Sequence, residues 1–269
     1  MTDPAAVAAQ LRDAYARQTL VPQPTATDPA FDLAAGYAVE RELVRMREAD
    51  GHRVVGLKVG FANKAVWRAL KLDTLVWAHM YDDTVHMAEA GVATLPSRHF
   101  TSPKIEPEIV FKLKAPLTGG QDAAGALASV QWLALGFEII DCVFPDWKFQ
   151  PADFTAAYGL HARLVVGTPV AVSDAEIAPL VDALPRFSIQ LSCNGQMVAE
   201  GSGKNSLRSP ALCLAELGSA LAARSEAEQL GAGALISSGT LTESQLVQPG
   251  QTWTARVTGL ALQPLTLRT

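Results

Sequence analysis

Residues 104–113 read KIEPEIVFKL, and the order of charged and apolar positions in this run decides how the chain is read. Val, Ile and Phe are residues that suit a pleated, half-buried surface. In a strand, alternate side chains share a face. Glu106 and Glu108 therefore point the same way, with Lys104 beside them, while Ile105, Ile109 and Phe111 point the other way. Like charges set side by side repel, so the pair needs either solvent or a cation. Mg²⁺ and Ca²⁺ take oxygen ligands, and Mg²⁺ commonly takes one or two carboxylates together with water and substrate oxygens.

Working outward, the run LALGFEIIDCVF (133–144) places Glu138 in an apolar stretch that should be buried. A buried carboxylate needs a partner or stays protonated. An arginine, a lysine, a backbone amide or an ion shared with Glu106 and Glu108 would each serve. Asp141 falls on the opposite face and reads as structural. Upstream, VVGLKVG (54–60) carries Lys58 in an otherwise apolar strand. Either the amine snorkels from an edge strand, or it lines a site for an anion.

Around these runs the chain divides into an N-terminal helical region, 1–52, and a β-rich body, 53–269, expected to form one compact unit. Helices are expected over 4–19, 31–50, 121–135 and 209–229, on apolar spacing and on Gly and Pro stops. Strands are expected at 54–60, 84–87, 104–113, 134–144, 162–167, 187–195, 234–239 and 252–267. Asn194-Gly195 marks a hairpin. Helices followed by a strand-rich body with inserted helices predict an α+β fold.

The 269 residues carry a formal net charge of −5 and no Lys/Arg-rich run, which speaks against a nucleic-acid partner. Cys142, Cys193 and Cys213 form no zinc spacing and no disulfide framework, so a reducing cytoplasm is expected. No apolar run is long enough to span a bilayer, and no membrane partner is expected.

The segments VVGLKVGFANKAVWRAL, SPKIEPEIVFKL, GFEIID with DWKF, EGSGKNSL, and ISSG with VQPG resemble the fumarylacetoacetate hydrolase superfamily. The resemblance is to its 2-keto-4-pentenoate hydratase and 2-oxo-3-hexenedioate decarboxylase branch. It implies a mixed β roll with N-terminal and flanking helices, and a homo-oligomer. It implies Mg²⁺ or Mn²⁺ on Glu106, Glu108 and Glu138, Lys58 at the substrate, and Ser238 beside Gly239 as a carboxylate contact. The implied activity is hydration or decarboxylation of a 2-hydroxy-dienoic or 2-oxo-enoic acid. C–C hydrolysis of the acylpyruvate type is the alternative, and a non-catalytic member that keeps the metal site is another. The sequence also departs from the hydratases. An expected Asp is Val76, and an Asp-Asn-Ala-Ser run is Ala157, Tyr158, Gly159 and Leu160. His161 and His79 are candidate replacements for the lost proton-transfer groups, with His161 taken as catalytic. Arg208, at the position before Ser209-Pro210, is a candidate for binding a second substrate carboxylate.

Overall fold

The computed structural model describes residues 2–224 and 230–269. Its helices are α1 (Pro4–Arg17), α2 (Pro24–Thr27), α3 (Leu33–Ala49), α4 (Lys64–Leu70), α5 (Ala123–Ala128), α6 (Pro151–Ala156), α7 (Asp174–Ala183) and α8 (Pro210–Ala222). The first strands are β1 (Val54–Gly60), β2 (Val76–Tyr81), β3 (Val85–Met87), β4 (Val92–Thr94), β5 (Pro103–Leu113), β6 (Val130–Asp141) and β7 (His161–Val166). The rest are β8 (Val170–Ala171), β9 (Ser188–Cys193), β10 (Gln196–Ser202), β11 (Leu235–Ser237), β12 (Gln245–Leu246), β13 (Thr252–Thr258) and β14 (Leu265–Arg268).

The helix starts follow from their caps. Asp3 accepts from Ala5 N–H before Pro4 at the first helical turn, Asp32 accepts from Ala35 N–H, and Ser209 accepts from Ala211 N–H. Helix α3 then meets α6 so closely that a Cβ on Gly36 would lie 2.5 Å from the Ala152 carbonyl. Tyr15 of α1 donates to the carbonyls of Asp141 and Ala157, tying the first helix to the body.

Two sheets carry the body. The larger runs β2-β1-β11-β5-β6-β7-β3, with β12 on β5 and β8 on β6; the smaller runs β10-β9-β13-β14-β4. Strands β5 and β6 pair antiparallel along nearly their whole length, from Pro103↔Asp141 to Leu113↔Val130. Leu57, Ile105, Ile109, Phe111, Phe137 and Ile236 are buried on these central strands. The Asn194-Gly195 hairpin forms as expected, both residues at positive φ (50° and 82°), between β9 and β10.

Three expectations need correction. The helix expected over 121–135 stops at Ala128, and Val130 begins β6. Val130 and Leu133 bury their side chains beside the exposed Gln131, and pairing with β5 outweighs the local helical preference of ALA-type sequence. The helix expected over 209–229 ends at Ala222, and residues 225–229 lie outside the described residues. Helices α4, α6 and α7 and strand β2 occupy segments to which no element was assigned; α4 had a readable start, since Asn63 caps it by accepting from Ala65 N–H. No helix among the described residues is long and apolar enough to cross a membrane.

Candidate metal and substrate site

The long β5–β6 register brings the carboxylates together. Glu106 stands directly opposite Glu138, and Glu108 stands opposite Gly136. One oxygen from each of the three glutamates can be chosen so that all lie within 4.8 Å of one another. Glu108 and Glu138 are fully buried and Glu106 is half-buried. Two carboxylates directly opposite on neighbouring strands repel, so this register is costly unless positive charge is supplied.

Part of that charge comes from Lys58. Strand β1 pairs with β11 so that Lys58 is in register with Ser237, and the Lys58 Nζ lies 3.2 Å from Glu138 Oε2. The amine also donates to the Gly159 carbonyl at 3.0 Å and sits 4.8 Å from the centre of the Phe154 ring. Gly159 has φ +59°, and a Cβ there would come within 2.9 Å of Lys58 Cδ and 2.8 Å of Ala78 Cβ. Glycine is what lets this backbone turn reach the amine.

The protonation pattern follows from burial and charge. Burial, reinforced by Glu138 and Glu106, pushes Glu108 well above the usual carboxylate range. Burial also raises Glu106, to about 7, against the opposing field of Lys58. For Glu138 burial acts upward too, but Lys58 and His161 outweigh it and hold the carboxyl below its ordinary value. Burial alone would discharge Lys58; Glu138, Glu106 and Glu108 instead hold it above its ordinary value. Fully ionised, three carboxylates against one ammonium leave a formal charge of −2.

One carboxylate oxygen remains unanswered, and a second meets only a cation. Neither Glu108 Oε1 nor Glu138 Oε2 has a hydrogen-bond partner, the latter meeting Lys58 only as an ion pair. The opposite oxygen of Glu108 is well held, by Ser237 Oγ and by the Gly239 N–H at 2.9 Å. Orphaned oxygens on a fully buried carboxylate cost several kcal/mol unless something positive fills the gap between them. An all-oxygen donor set, converging within ion-binding distances and carrying two excess negative charges, fits a hard divalent cation.

A cavity of about 530 Å³ opens onto this cluster. Lys58, Glu106 and Gly239 line it on the polar side, with Lys104, Asn63, Asn205 and Glu243 nearby. Phe61, Ile140, Trp147, Phe149, Phe154 and Leu160 supply an apolar wall. Leu160 thus faces the cavity, whereas Val76 is buried in register with Gly60 on β2 and does not line it.

The remaining predicted residues fall in several places. Ser238 is buried, its hydroxyl without a partner, and it does not line the cavity; its neighbour Ser237 makes the contact with Glu108 instead. A Ser-Ser pair preceding Gly239 does not reveal by itself which hydroxyl faces the glutamates; the register with Lys58 does. Arg208 is exposed and lines a separate depression with Lys64 and Lys204, adjoining the cavity through Ala62, Asn63 and Asn205. His79 pairs with the buried Glu40 of α3, Nδ1 to Oε1 at 2.6 Å, away from the trio. Asp141 behaves as a structural acid, accepting from the N–H groups of Thr101 and Ser102.

His161 lies behind the trio. Its Nδ1 is 2.9 Å from Glu138 Oε1 and its Nε2 is 3.0 Å from Thr84 Oγ1. Burial lowers its pKa, and its Nδ1 faces the carboxylate while its Nε2 faces Thr84 Oγ1, a hydroxyl that itself donates to the Tyr81 carbonyl at 2.9 Å and accepts from the Tyr81 N–H. His161 lines a different cavity, about 440 Å³, with Arg12, Arg47, Tyr158 and Arg163, which shares no lining residue with the first. It reaches the cluster through Glu138 and does not line the cavity that Glu106 and Lys58 share.

Residues 58–265 match the model of the fumarylacetoacetate (FAA) hydrolase C-terminal family. The chain belongs to the fumarylacetoacetate hydrolase family. Among members of this family, 4-oxalocrotonate decarboxylase of Pseudomonas sp. (strain CF600) is 31% identical over 242 residues, covering 89% of this chain and 87% of that protein. The 2-hydroxyhexa-2,4-dienoate hydratase of Comamonas testosteroni is 30% identical over 207 residues, covering 77% and 75%. The solved 4-oxalocrotonate decarboxylase of Pseudomonas putida G7, a complex with magnesium and adipate, superposes with a TM-score of 0.87 at 28% identity, over 98% of this chain and 96% of that one.

Proposed function

We propose that this chain is a divalent-metal-dependent lyase acting on a 2-oxo-enoic acid or its 2-hydroxy-dienoic form, and that decarboxylation of a 2-oxo-enedioate is its reaction. The observation that carries the reading is the convergence of Glu106, Glu108 and Glu138 within 4.8 Å, with Glu108 Oε1 unpartnered and Lys58 the cation paired with Glu138. These three residues would hold Mg²⁺ or Mn²⁺. When bound, the ion supplies Lewis-acid stabilisation for negative charge developing on a 2-oxo acid.

The chain's own groups do the rest. Lys58 is kept charged by its glutamates and presents that charge at the cavity floor, where exclusion of water strengthens its attraction for an acid. Ser237 and the Gly239 N–H fix one oxygen of Glu108, which aims the other into the cluster. His161 is a positioning residue that orients Glu138 from behind. The aromatic and aliphatic wall packs the carbon chain and excludes water.

That wall is also why we favour loss of CO₂. Hydration and C–C hydrolysis both need a water held against the carbon chain by a polar group. At the two positions where the hydratases are polar, Leu160 presents carbon and Val76 is out of reach, which leaves Glu106, Asn63, Asn205 and Glu243 among the polar groups of the lining. Decarboxylation needs neither water nor a general base. The bond to the departing carboxylate breaks, its electron pair enters the conjugated 2-oxo system, and the resulting dienolate takes up a proton. The decarboxylase names of several relatives, and the adipate bound to one of them, are consistent with a six-carbon dicarboxylate in this cavity.

Three coarser readings accompany this one. A homo-oligomer is supported by the family resemblance and by the exposed apolar side chains Met197, Val198 and Leu246. A reducing, cytoplasmic setting is supported by three free cysteines, two of them buried. Residues 1–52 belong to the same folding unit as the body, which the Tyr15 hydrogen bonds and the α3–α6 contact support.

The test is a substrate panel with Mg²⁺ and with Mn²⁺: a 2-oxo-enedioate, a 2-hydroxydienoate and an acylpyruvate. Metal-dependent CO₂ release from the first is expected. Turnover of the monocarboxylates with none of the enedioate would replace decarboxylation by hydration or hydrolysis, and no turnover of any would leave a binding protein.

A further inference from the structure

Lys104 is the cavity cation that the reaction described above does not use. It lies on the same face of β5 as Glu106, two residues away, or about 6.6 Å along the strand. Its Nζ sits 3.9 Å from the centre of the Trp147 ring, and both residues line the cavity. Among the described residues no carboxylate forms an ion pair with it, although Glu106 lies within reach of its field.

The Trp147 ring is held in place. Asp146 and Trp147 both sit at positive φ, 57° and 56°, in the tight turn that follows β6. The indole N–H donates to Ser102 Oγ at 2.8 Å, and the Ser102 N–H is in turn fixed on Asp141. A cation resting on a fixed aromatic face keeps its charge while losing little freedom. Besides these lysines the cavity is lined by carbon, from Ile140, Phe149, Phe154 and Leu160. The cavity thus offers a lysine against the glutamates, carbon to pack a short chain, and a second cation, two residues from Glu106 on β5, for a second anion.

We propose that Lys104, carried on Trp147, anchors the second carboxylate of a dicarboxylic substrate and so selects enedioates over monocarboxylic acids. This rests on the function proposed above. In that reaction the anchored carboxylate is the one that leaves. As its carbon–carbon bond breaks, the electron pair stays with the conjugated system and the carboxylate becomes neutral CO₂. The attraction to Lys104 is therefore strongest in the bound substrate and fades toward the transition state. Such an interaction lowers KM without raising kcat. The monocarboxylate product has lost its second anchor, which favours its release.

The experiment titrates the full Mg²⁺-loaded protein with adipate and with hexanoate by calorimetry, for the wild type, Lys104→Met and Lys104→Arg. The wild type should bind adipate at least tenfold more tightly than hexanoate. Lys104→Met, which keeps the stem, should erase that preference by weakening adipate alone, and Lys104→Arg should restore most of it. On an enedioate substrate, Lys104→Met should raise KM at least tenfold with kcat unchanged or higher. An adipate-to-hexanoate ratio that survives Lys104→Met overturns the inference and leaves the proposed function standing. A wild type that binds neither acid brings down both.

Discussion

Among the described residues two clusters each bring three ligand-type groups within 4.8 Å: Glu106, Glu108 and Glu138 in the sheet, and His52, Asp82 and Asp83 at its edge. By spacing alone they are equivalent. At the edge, however, each carboxylate already has its cation. Arg47 pairs with Asp83, Arg53 pairs with Asp82, and His52 lies 3.5 Å from both acids. These groups are half-exposed or exposed, and such pairs contribute little and need nothing further. In the sheet the acids are deeper, Lys58 ion-pairs with Glu138 only, and Glu108 Oε1 has no partner. Convergence of carboxylates is common; convergence without enough positive charge, away from water, is what calls for an ion.

The largest effect that sharpens this contrast concerns Lys58. Lys58→Met should retain Mn²⁺ and a native melting transition when metal is present. Its kcat/KM should fall at least 10²-fold, or roughly 2.7 kcal/mol. Arg53→Met, the corresponding loss at the edge cluster, should leave kcat/KM unchanged. Near-native turnover of Lys58→Met in a steady-state assay would mean that the lysine only balances charge.

Next in size is the support behind the trio. His161→Leu removes the group that orients Glu138, and loss of such an outer partner typically weakens a metal about 10–100-fold. His52→Leu should change nothing in the same titration. Equal Mn²⁺ affinities for wild type and His161→Leu would reduce His161 to a packing residue.

The pH dependence should have opposite signs in the two clusters. In the metal-free protein Glu106 is raised from 4.5 to about 7, so the folded state keeps a proton the unfolded chain has lost. Its contribution to stability is present below about pH 4.5 and is lost as the pH rises through about 7. Asp82 is lowered below its ordinary value of 3.8, chiefly by the Arg53 backbone N–H, so its contribution is present above that value and lost as the pH falls. Saturating Mn²⁺ competes with the proton on Glu106, and its stabilising shift in Tm should grow from pH 5 to 7. A metal-induced shift that is flat over that interval would contradict the assignment of Glu106. The smallest effect belongs to the edge: Asp82→Asn should leave the midpoint of urea unfolding nearly unchanged.

Much of the site was legible in the chain before its fold was known. The two-residue spacing of Glu106 and Glu108, a third glutamate inside an apolar run and a lysine inside another were each chemically conspicuous. What could not be read was pairing. That Glu106 faces Glu138 follows from the antiparallel register of β5 and β6, set by contacts across 32 residues of chain. That His161 reaches Glu138 depends on an irregularity between Ile139 and Ile140 in the pairing of β6 with β7. The same cause explains the misread helix: VQWLAL is acceptable locally as helix, and only the partner strand makes it β6. Nor could the Ser-Ser pair before Gly239 show that Ser237 is the one bonded to Glu108; that follows from its register with Lys58.

The most direct test of the account is a calorimetric Mn²⁺ titration at pH 7 of the wild type, Glu106→Gln and the double variant Asp82→Asn/Asp83→Asn. Glu106→Gln is the informative choice because Glu106 is half-buried and pairs with no cation, whereas changing Glu138 would strip Lys58 and His161 of their partner. The account predicts one ion per chain in the wild type and in the double variant, and loss of tight binding in Glu106→Gln with the fold intact by circular dichroism. Tight binding that persists in Glu106→Gln, or that disappears in the Asp82/Asp83 variant, would contradict it.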